Sequence, residues 1–160
     1  MSRDAPTVSV EPVFTRARSV AAVIEGLLRE TERSVDAALY RLSHPRLAEA
    51  LARAARREAT VRLILDRRKF EETAATRELA AEFRLPIQLL SGGEESKLHH
   101  KFAILDRRIV LAGSYNWTLE SEQNFENLLI IRDENVAAAF QAEFDGLWAA
   151  ASVKERGARP

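Results

Sequence analysis

Between residues 7 and 90, short apolar runs alternate with segments whose apolar residues recur every three or four positions, and this alternation leaves few architectures open. The stretch 7–14 alternates through Val8 and Val10 and reads as a strand, with Pro12 marking an edge or an end. Val20, Val23, Ile24, Leu27 and Leu28 predict an amphipathic helix over about 17–32. A strand over 34–40 follows. His44-Pro45 opens a helix carrying Leu47, Leu51 and Ala55, because Pro in a first turn has no hydrogen bond to lose. The β-branched run 60–65 reads as a buried strand ending at Asp66, and a helix over about 72–83 precedes a strand over 86–90. After the loop 91–96, the runs 100–105 and 109–112 flank the polar Asp106-Arg107-Arg108, a hairpin signature. A strand over 127–131 and a helix over about 134–151 complete the pattern. The expected fold is α/β, a mixed parallel and antiparallel sheet flanked by helices on both faces. Residues 1–151 are expected to form one domain, with 152–160 a polar tail.

Composition narrows the function classes. The 160 residues carry 24 Lys and Arg against 24 Asp and Glu, which argues against a plain basic nucleic-acid binder. The balance is uneven: residues 1–69 hold 14 basic and 9 acidic residues, and 70–160 hold 10 and 15. Nine basic residues fall between Arg41 and Lys69, where Glu49, Glu58 and Asp66 are the only acidic ones. The absence of Cys removes disulfides, thiolate chemistry and Cys-based zinc sites. No apolar run approaches the roughly 20 residues of a membrane span. The polar start Met1-Ser2-Arg3-Asp4 lacks the apolar core of a secretory signal, so a cytoplasmic location is expected.

Chemistry concentrates in the second half. His99 and Lys101 lie two apart in an extended run and share one face, while Phe102 and Ile104 take the other. A His beside a Lys suits a shared anion. The hairpin can fold Gly113-Ser114-Tyr115-Asn116 back beside them, adding a hydroxyl and an amide. Asn124-Phe125-Glu126-Asn127 brings a carboxylate into an apolar strand, where Glu126 could hold the His99 imidazole in one tautomer. Glu120 and Glu122 are rivals for that role. Neutral imidazole is a competent nucleophile toward phosphorus, and Lys101 and Asn116 are suited to the charge that grows in the transition state. Neither a metal nor another cofactor is called for. His100 points away from Lys101 and is assigned to packing, His44 to the start of a helix, and Trp117 and Phe125 to packing.

His99-x-Lys101-x4-Asp106 followed by Gly113-Ser114-x-Asn116 resembles the signature of the phospholipase D superfamily, and Asn124-x-Glu126-Asn127 resembles the short motif that follows it. The pattern is most similar to the single-motif branch of Nuc-type endonucleases and mitochondrial phospholipase D-like proteins. The resemblance implies a two-step reaction through a phosphohistidine on His99, with a second His protonating the leaving oxygen and then activating water. One motif per chain implies a homodimer whose two-fold axis brings two copies of His99 into one active site. It also implies a structural role for Asp106 at the hairpin turn, with Gly113 and Ser114 as supporting motif residues.

A nuclease reading requires a basic groove, for which Arg67, Arg68, Lys69, Arg107 and Arg108 are the candidates within and beyond the basic stretch. Phospholipid hydrolysis or transfer is the alternative, although no amphipathic surface helix or exposed apolar rim is legible in the sequence. A non-catalytic nucleic-acid-binding module of the same fold is the third reading, but His99, Lys101 and Asn116 are all present.

Overall fold

The strand order β1-β7-β6-β5-β2-β3-β4 explains how residues from distant parts of the chain meet at one end of a single seven-stranded sheet. The computed structural model describes residues 8–91, 93 and 95–157, with side chains up to residue 152. Its elements are β1 (Ser9–Phe14), α1 (Val20–Glu30), β2 (Ser34–Leu39), α2 (Pro45–Arg56), β3 (Thr60–Asp66), α3 (Arg67–Glu72), α4 (Ala74–Phe83), β4 (Ile87–Leu90), β5 (Lys101–Leu105), β6 (Ile109–Gly113), β7 (Asn127–Arg132) and α5 (Glu134–Gly157). A 3₁₀ turn, Glu120–Gln123, precedes β7. Strands β2, β3 and β4 pair in parallel and the remaining pairs are antiparallel.

Each element follows from local chemistry. Ser19 caps α1 by accepting the Ala22 N–H at 3.1 Å, and Asp66 caps α3 by accepting the Lys69 N–H at 2.9 Å. The helix expected over about 72–83 is α4, and a short helix not expected from the sequence, α3, precedes it, with Thr73 extended between the two. The expected end of the last helix near 151 is passed: α5 continues to Gly157, since the intervening residues include no Pro and no earlier Gly after Gly146. Pro12 lies in β1, an edge strand, where its missing N–H removes no central ladder bond. Thr7 and the last three residues of the tail lie outside the described residues.

Between the paired Leu105 and Ile109 the β5–β6 hairpin turns through Asp106, Arg107 and Arg108; Asp106 and Arg107 have positive φ (51° and 57°), and the Arg108 N–H closes the turn on the Leu105 carbonyl at 3.0 Å. That is the primed turn matched to strand twist, and Asp tolerates its first left-handed position. Across the turn Leu105 pairs with Ile109 and Phe102 with Ala112, which fixes where the open end of the hairpin falls.

Two cores flank the sheet. One, under α1 and α2, contains Ile24, Leu28, Leu47, Leu51, Leu63, Tyr115 and Trp117; the other, under α5, contains Ile64, Phe102, Ile104, Val110 and Phe144. The second core also holds a charge pair, in which Arg62 donates twice to buried Asp36 at 2.7 Å and once to Asp145 at 3.1 Å. Gln141 completes the set by donating to Asp36 at 2.8 Å. No described helix is long and apolar enough to cross a membrane.

Candidate active site

Residues just beyond the carboxyl ends of β2, β3 and β6 meet those at the amino ends of β5 and β7. Leu39 pairs with Lys101 and Gly113 with Leu128, so Tyr40, Asp66, His99, Lys101, Ser114 and Glu126 come from five strand ends on one rim. Ligand sites in open sheets with parallel strands form at such a rim.

His99 precedes β5 rather than lying within it, in an extended segment that three hydrogen bonds hold. The buried Asp66 carboxylate accepts the Leu98 N–H at 2.9 Å, the Tyr40 N–H donates to the His100 carbonyl at 2.8 Å, and Lys101 Nζ donates to the His99 carbonyl at 2.8 Å. The exposed imidazole presents Nδ1 to Lys101 Nζ at 3.3 Å and packs on the Tyr40 ring, with centroids 4.6 Å apart. Burial and the Lys101 and Lys97 charges hold its pKa below the ordinary 6.5, against the opposing effect of Asp66. The imidazole is therefore neutral, and nucleophilic, at neutral pH. Burial also lowers the Lys101 pKa, with Glu126 opposing.

His99, Lys101, Gly113 and Ser114 line one open hollow. Gly113 is required by close approach: a Cβ there would collide with the Asn127 carbonyl oxygen and lie 2.9 Å from Asn127 Oδ1. Ser114 accepts the Asn127 N–H at 3.0 Å and donates a short hydrogen bond to Glu126 Oε2. Asn116 is half-buried and its Oδ1 is buried without a hydrogen-bond partner among the described residues, a costly state of the kind found at sites that complete themselves with a ligand.

Several sequence expectations need correction. Glu126 is spent on Ser114 and makes no hydrogen bond to His99 within the chain; the carboxylate whose charge bears on His99 is Asp66. Phe125 does not pack. It is 88% exposed, because its neighbour Glu126 is tied through its N–H and carbonyl to Thr15 and turns the intervening side chain outward. With half-exposed Phe14 it borders a hollow that also includes Glu126, so an apolar rim exists beside the site. Arg107 and Arg108 occupy the turn at the opposite end of β5, roughly 15 Å away at about 3.3 Å per residue, and do not line the hollow at His99. The basic stretch does not form a stripe. Arg46 pairs with Glu25, Arg53 with Glu49 and Arg67 with Glu71, while Arg62 is under α5. Arg68 and Lys69 line a hollow near the site, and both also contact Glu72, while Arg41, next to Tyr40, pairs with Glu120.

Other assignments are plain in the structure. Asp106 accepts N–H groups from Glu32, Arg33 and Ser34 at 3.1, 2.7 and 3.0 Å, joining the turn to the start of β2. His100 Nε2 lies 3.3 Å from Glu143 and its ring meets Phe102 edge-on, away from Lys101. His44 is the N-cap position of α2; it is 4% exposed, Nδ1 has no partner among the described residues, and burial lowers its pKa. Trp117 is buried. Glu122 accepts the Tyr115 hydroxyl at 2.7 Å and the Ala21 N–H at 2.8 Å, tying the segment between Ser114 and Asn116 to the start of α1. Among the described residues no three His, Asp or Glu side chains gather as a metal site.

Sequence reasoning missed Tyr40, Asp66 and Lys97. The available signal was positional, since Tyr40 and Asp66 end adjacent parallel strands.

Fold and motif together define a phosphodiesterase of the single-motif type, and the chain belongs to the phospholipase D superfamily. The family model described as "Cardiolipin synthase, PLD-like domain" matches residues 24–148. The chain is 36% identical over 155 residues to a mitochondrial cardiolipin hydrolase of Xenopus laevis, covering 89% of this chain and 72% of that protein. The human mitochondrial cardiolipin hydrolase is 32% identical, covering 72% of this chain and 45% of the relative. Among solved structures, the phospholipase D family member Nuc from Salmonella typhimurium superposes with a TM-score of 0.82 at 22% identity, covering 90% of this chain and 96% of that one. NucT from Helicobacter pylori gives 0.78 at 20% identity, covering 90% and 98%.

Proposed function

We propose that the chain cleaves phosphodiester bonds of nucleic acid through a phosphohistidine on His99, in a site that two copies of the chain complete. The observation that carries this is exposed His99 beside half-buried Lys101 at an open hollow, next to an aromatic ring with ammonium groups around it. His99 attacks phosphorus as the bond to the leaving oxygen breaks, and Lys101 and Asn116 face the non-bridging oxygens. A second imidazole must supply the leaving oxygen's proton. Neither remaining His fits within the chain, since His100 faces Glu143 and His44 is buried. His99 of a second copy, related by a two-fold axis, meets the need.

Phospholipid cleavage is the second reading, favoured by the exposed Phe125 and Phe14 beside Glu126 and by the names of the curated relatives. One panel separates the two readings: single- and double-stranded DNA, RNA, bis(p-nitrophenyl) phosphate and cardiolipin vesicles, all in EDTA. Nucleic-acid cleavage that survives chelator and disappears in His99→Ala is expected. Cleavage of vesicles alone would assign the lipid instead, and strict dependence on added metal would remove the scheme. Mixing His99→Ala with wild type should lower activity more than dilution does. An active monomer on sizing would rule out the shared site.

A further inference from the structure

Tyr40 stands at the centre of an unusual concentration of charge. Its ring is 4.6 Å from that of His99, and the ammonium groups of Lys101, Lys69 and Lys97 lie 5.5, 5.9 and 5.9 Å from its centroid. The three do not serve the same space. Lys101 faces the hollow of His99 and Ser114, whereas Lys69 and Lys97 line a separate hollow of about 500 Å³ with Tyr40, Arg68, Asp66 and Glu95. Lys97 also borders the surface at His99, so it stands between the two.

Asp66 and Glu95 oppose Arg68, Lys69 and Lys97 in this second hollow, so one positive charge is in excess among its described lining residues. The two Asp66 oxygens also accept the Lys69 and Leu98 N–H groups, which holds that carboxylate in the wall and leaves it unable to swing onto a lysine. Lys69 and Arg68 share the exposed Glu72, an arrangement that water and salt weaken. Lys97 has no ion pair among the described residues, and Glu95 is the opposing carboxylate on the wall. The Tyr40 ring attracts each of the three ammonium groups only weakly, and an anion placed among them gains from all three charges.

We propose that this hollow binds a second phosphate of the substrate, one nucleotide from the phosphate attacked by His99, so that the preferred substrate is a nucleic-acid strand and not an isolated diester. The assignment rests on the nuclease reading above and adds a subsite to it. Tyr40 stands between the two positions, with its ring against His99 and in the wall of the second hollow, and Lys97 borders that hollow and the surface beside His99.

The test uses ligands that need no turnover. Binding of thymidine 3′,5′-bisphosphate and thymidine 5′-monophosphate to the full chain is measured by calorimetry at low salt, alongside hydrolysis of bis(p-nitrophenyl) phosphate. The bisphosphate should bind about tenfold more tightly, and a Lys69→Ala/Lys97→Ala double variant should lose that preference. Glu95→Gln should strengthen bisphosphate binding about twofold to threefold, a gain that damage to the fold could not produce. Equal affinity for the two nucleotides, or a preference that survives the double substitution, overturns the subsite. Hydrolysis of the chromogenic diester with no bisphosphate preference leaves the catalytic reading standing and removes this one; preference without hydrolysis does the reverse. A preference confined to cardiolipin over phosphatidylglycerol vesicles overturns the nucleic-acid assignment.

Discussion

The two ends of the β5–β6 hairpin carry residues of the same short motif yet differ in how their polar groups are satisfied. At the turn, the Asp106 carboxylate takes three backbone N–H groups from the start of β2. At the open end, Asn116 Oδ1 has no partner, the His99 imidazole is exposed, and Lys101 forms no ion pair among the described residues. Satisfied groups hold structure and underpaired ones wait for a ligand, so the contrast separates the motif's structural residue from its chemical ones.

The comparison can be broken most severely at the open end. His99→Ala should reduce activity by about four orders of magnitude, while the unfolding midpoint stays nearly unchanged because the ring is exposed. A comparable fall in thermal stability would make His99 structural and erase the contrast.

The turn should behave in the opposite way. Asp106→Ala strands three N–H donors and should cost roughly 2–4 kcal/mol of stability, measured by urea unfolding. Burial alone would raise the pKa of this carboxyl, but the N–H groups of Ser34, Glu32 and Arg33 and the Arg33 charge outweigh it and bring it below the ordinary 3.8. With the folded pKa lowered, the stabilisation is present above the unfolded value and is lost as pH falls through the folded one. The gap between wild type and Asp106→Asn should therefore narrow in acid below about pH 4.

Asp66 sharpens the comparison, because it reaches the open end from beneath. In Asp66→Asn one side-chain oxygen remains where two accepted N–H groups, so either the α3 cap or the hold on Leu98 is lost. A fall of about tenfold in kcat with little change in KM is expected. Asp66 raises the His99 pKa, so the acid limb of kcat/KM, which needs neutral His99, should move to lower pH in this variant, and Lys97→Ala should move it higher. A purely structural Asp66 would leave that limb in place. The smallest effect belongs to Arg107→Ala and Arg108→Ala, which should change activity less than about twofold, since surface sites remote from such features are near neutral. A larger loss would mean that substrate spans the length of β5.

Much of this contrast was legible in the sequence. Period-two and helical spacing placed the strands and helices, and a motif confined to 28 residues, from His99 to Glu126, needed one hairpin to bring it together. What the sequence hid came from distance and from partner choice. Asp66 is a strand's last residue with nothing nearby to mark it, and its relation to Leu98 exists only because β3 and β5 flank β2. Glu126 sits in the expected motif but spends its carboxylate on Ser114, a choice that spacing does not determine. The surplus of Arg overstated the field, because a residue count does not show that Arg53, Arg67 and Arg68 each have a Glu one helical turn away. Phe125 was expected inside on its side chain's character, whereas the backbone bonds of its neighbour put it outside.

The turn through Asp106 and Arg107 also bears on how quickly the open end takes shape. Hairpins close in about 1–10 μs, and this one joins residues only a few positions apart. The turn joins Leu105 to Ile109 in one register, and a slip by one would send Lys101 and Phe102 to each other's faces. The alignment of Lys101 with the Gly113–Ser114 segment is thus specified at the far end of the ladder, by a local pairing whose loop-closure entropy is smaller than that of the parallel pairs β2–β3 and β3–β4, which need crossovers.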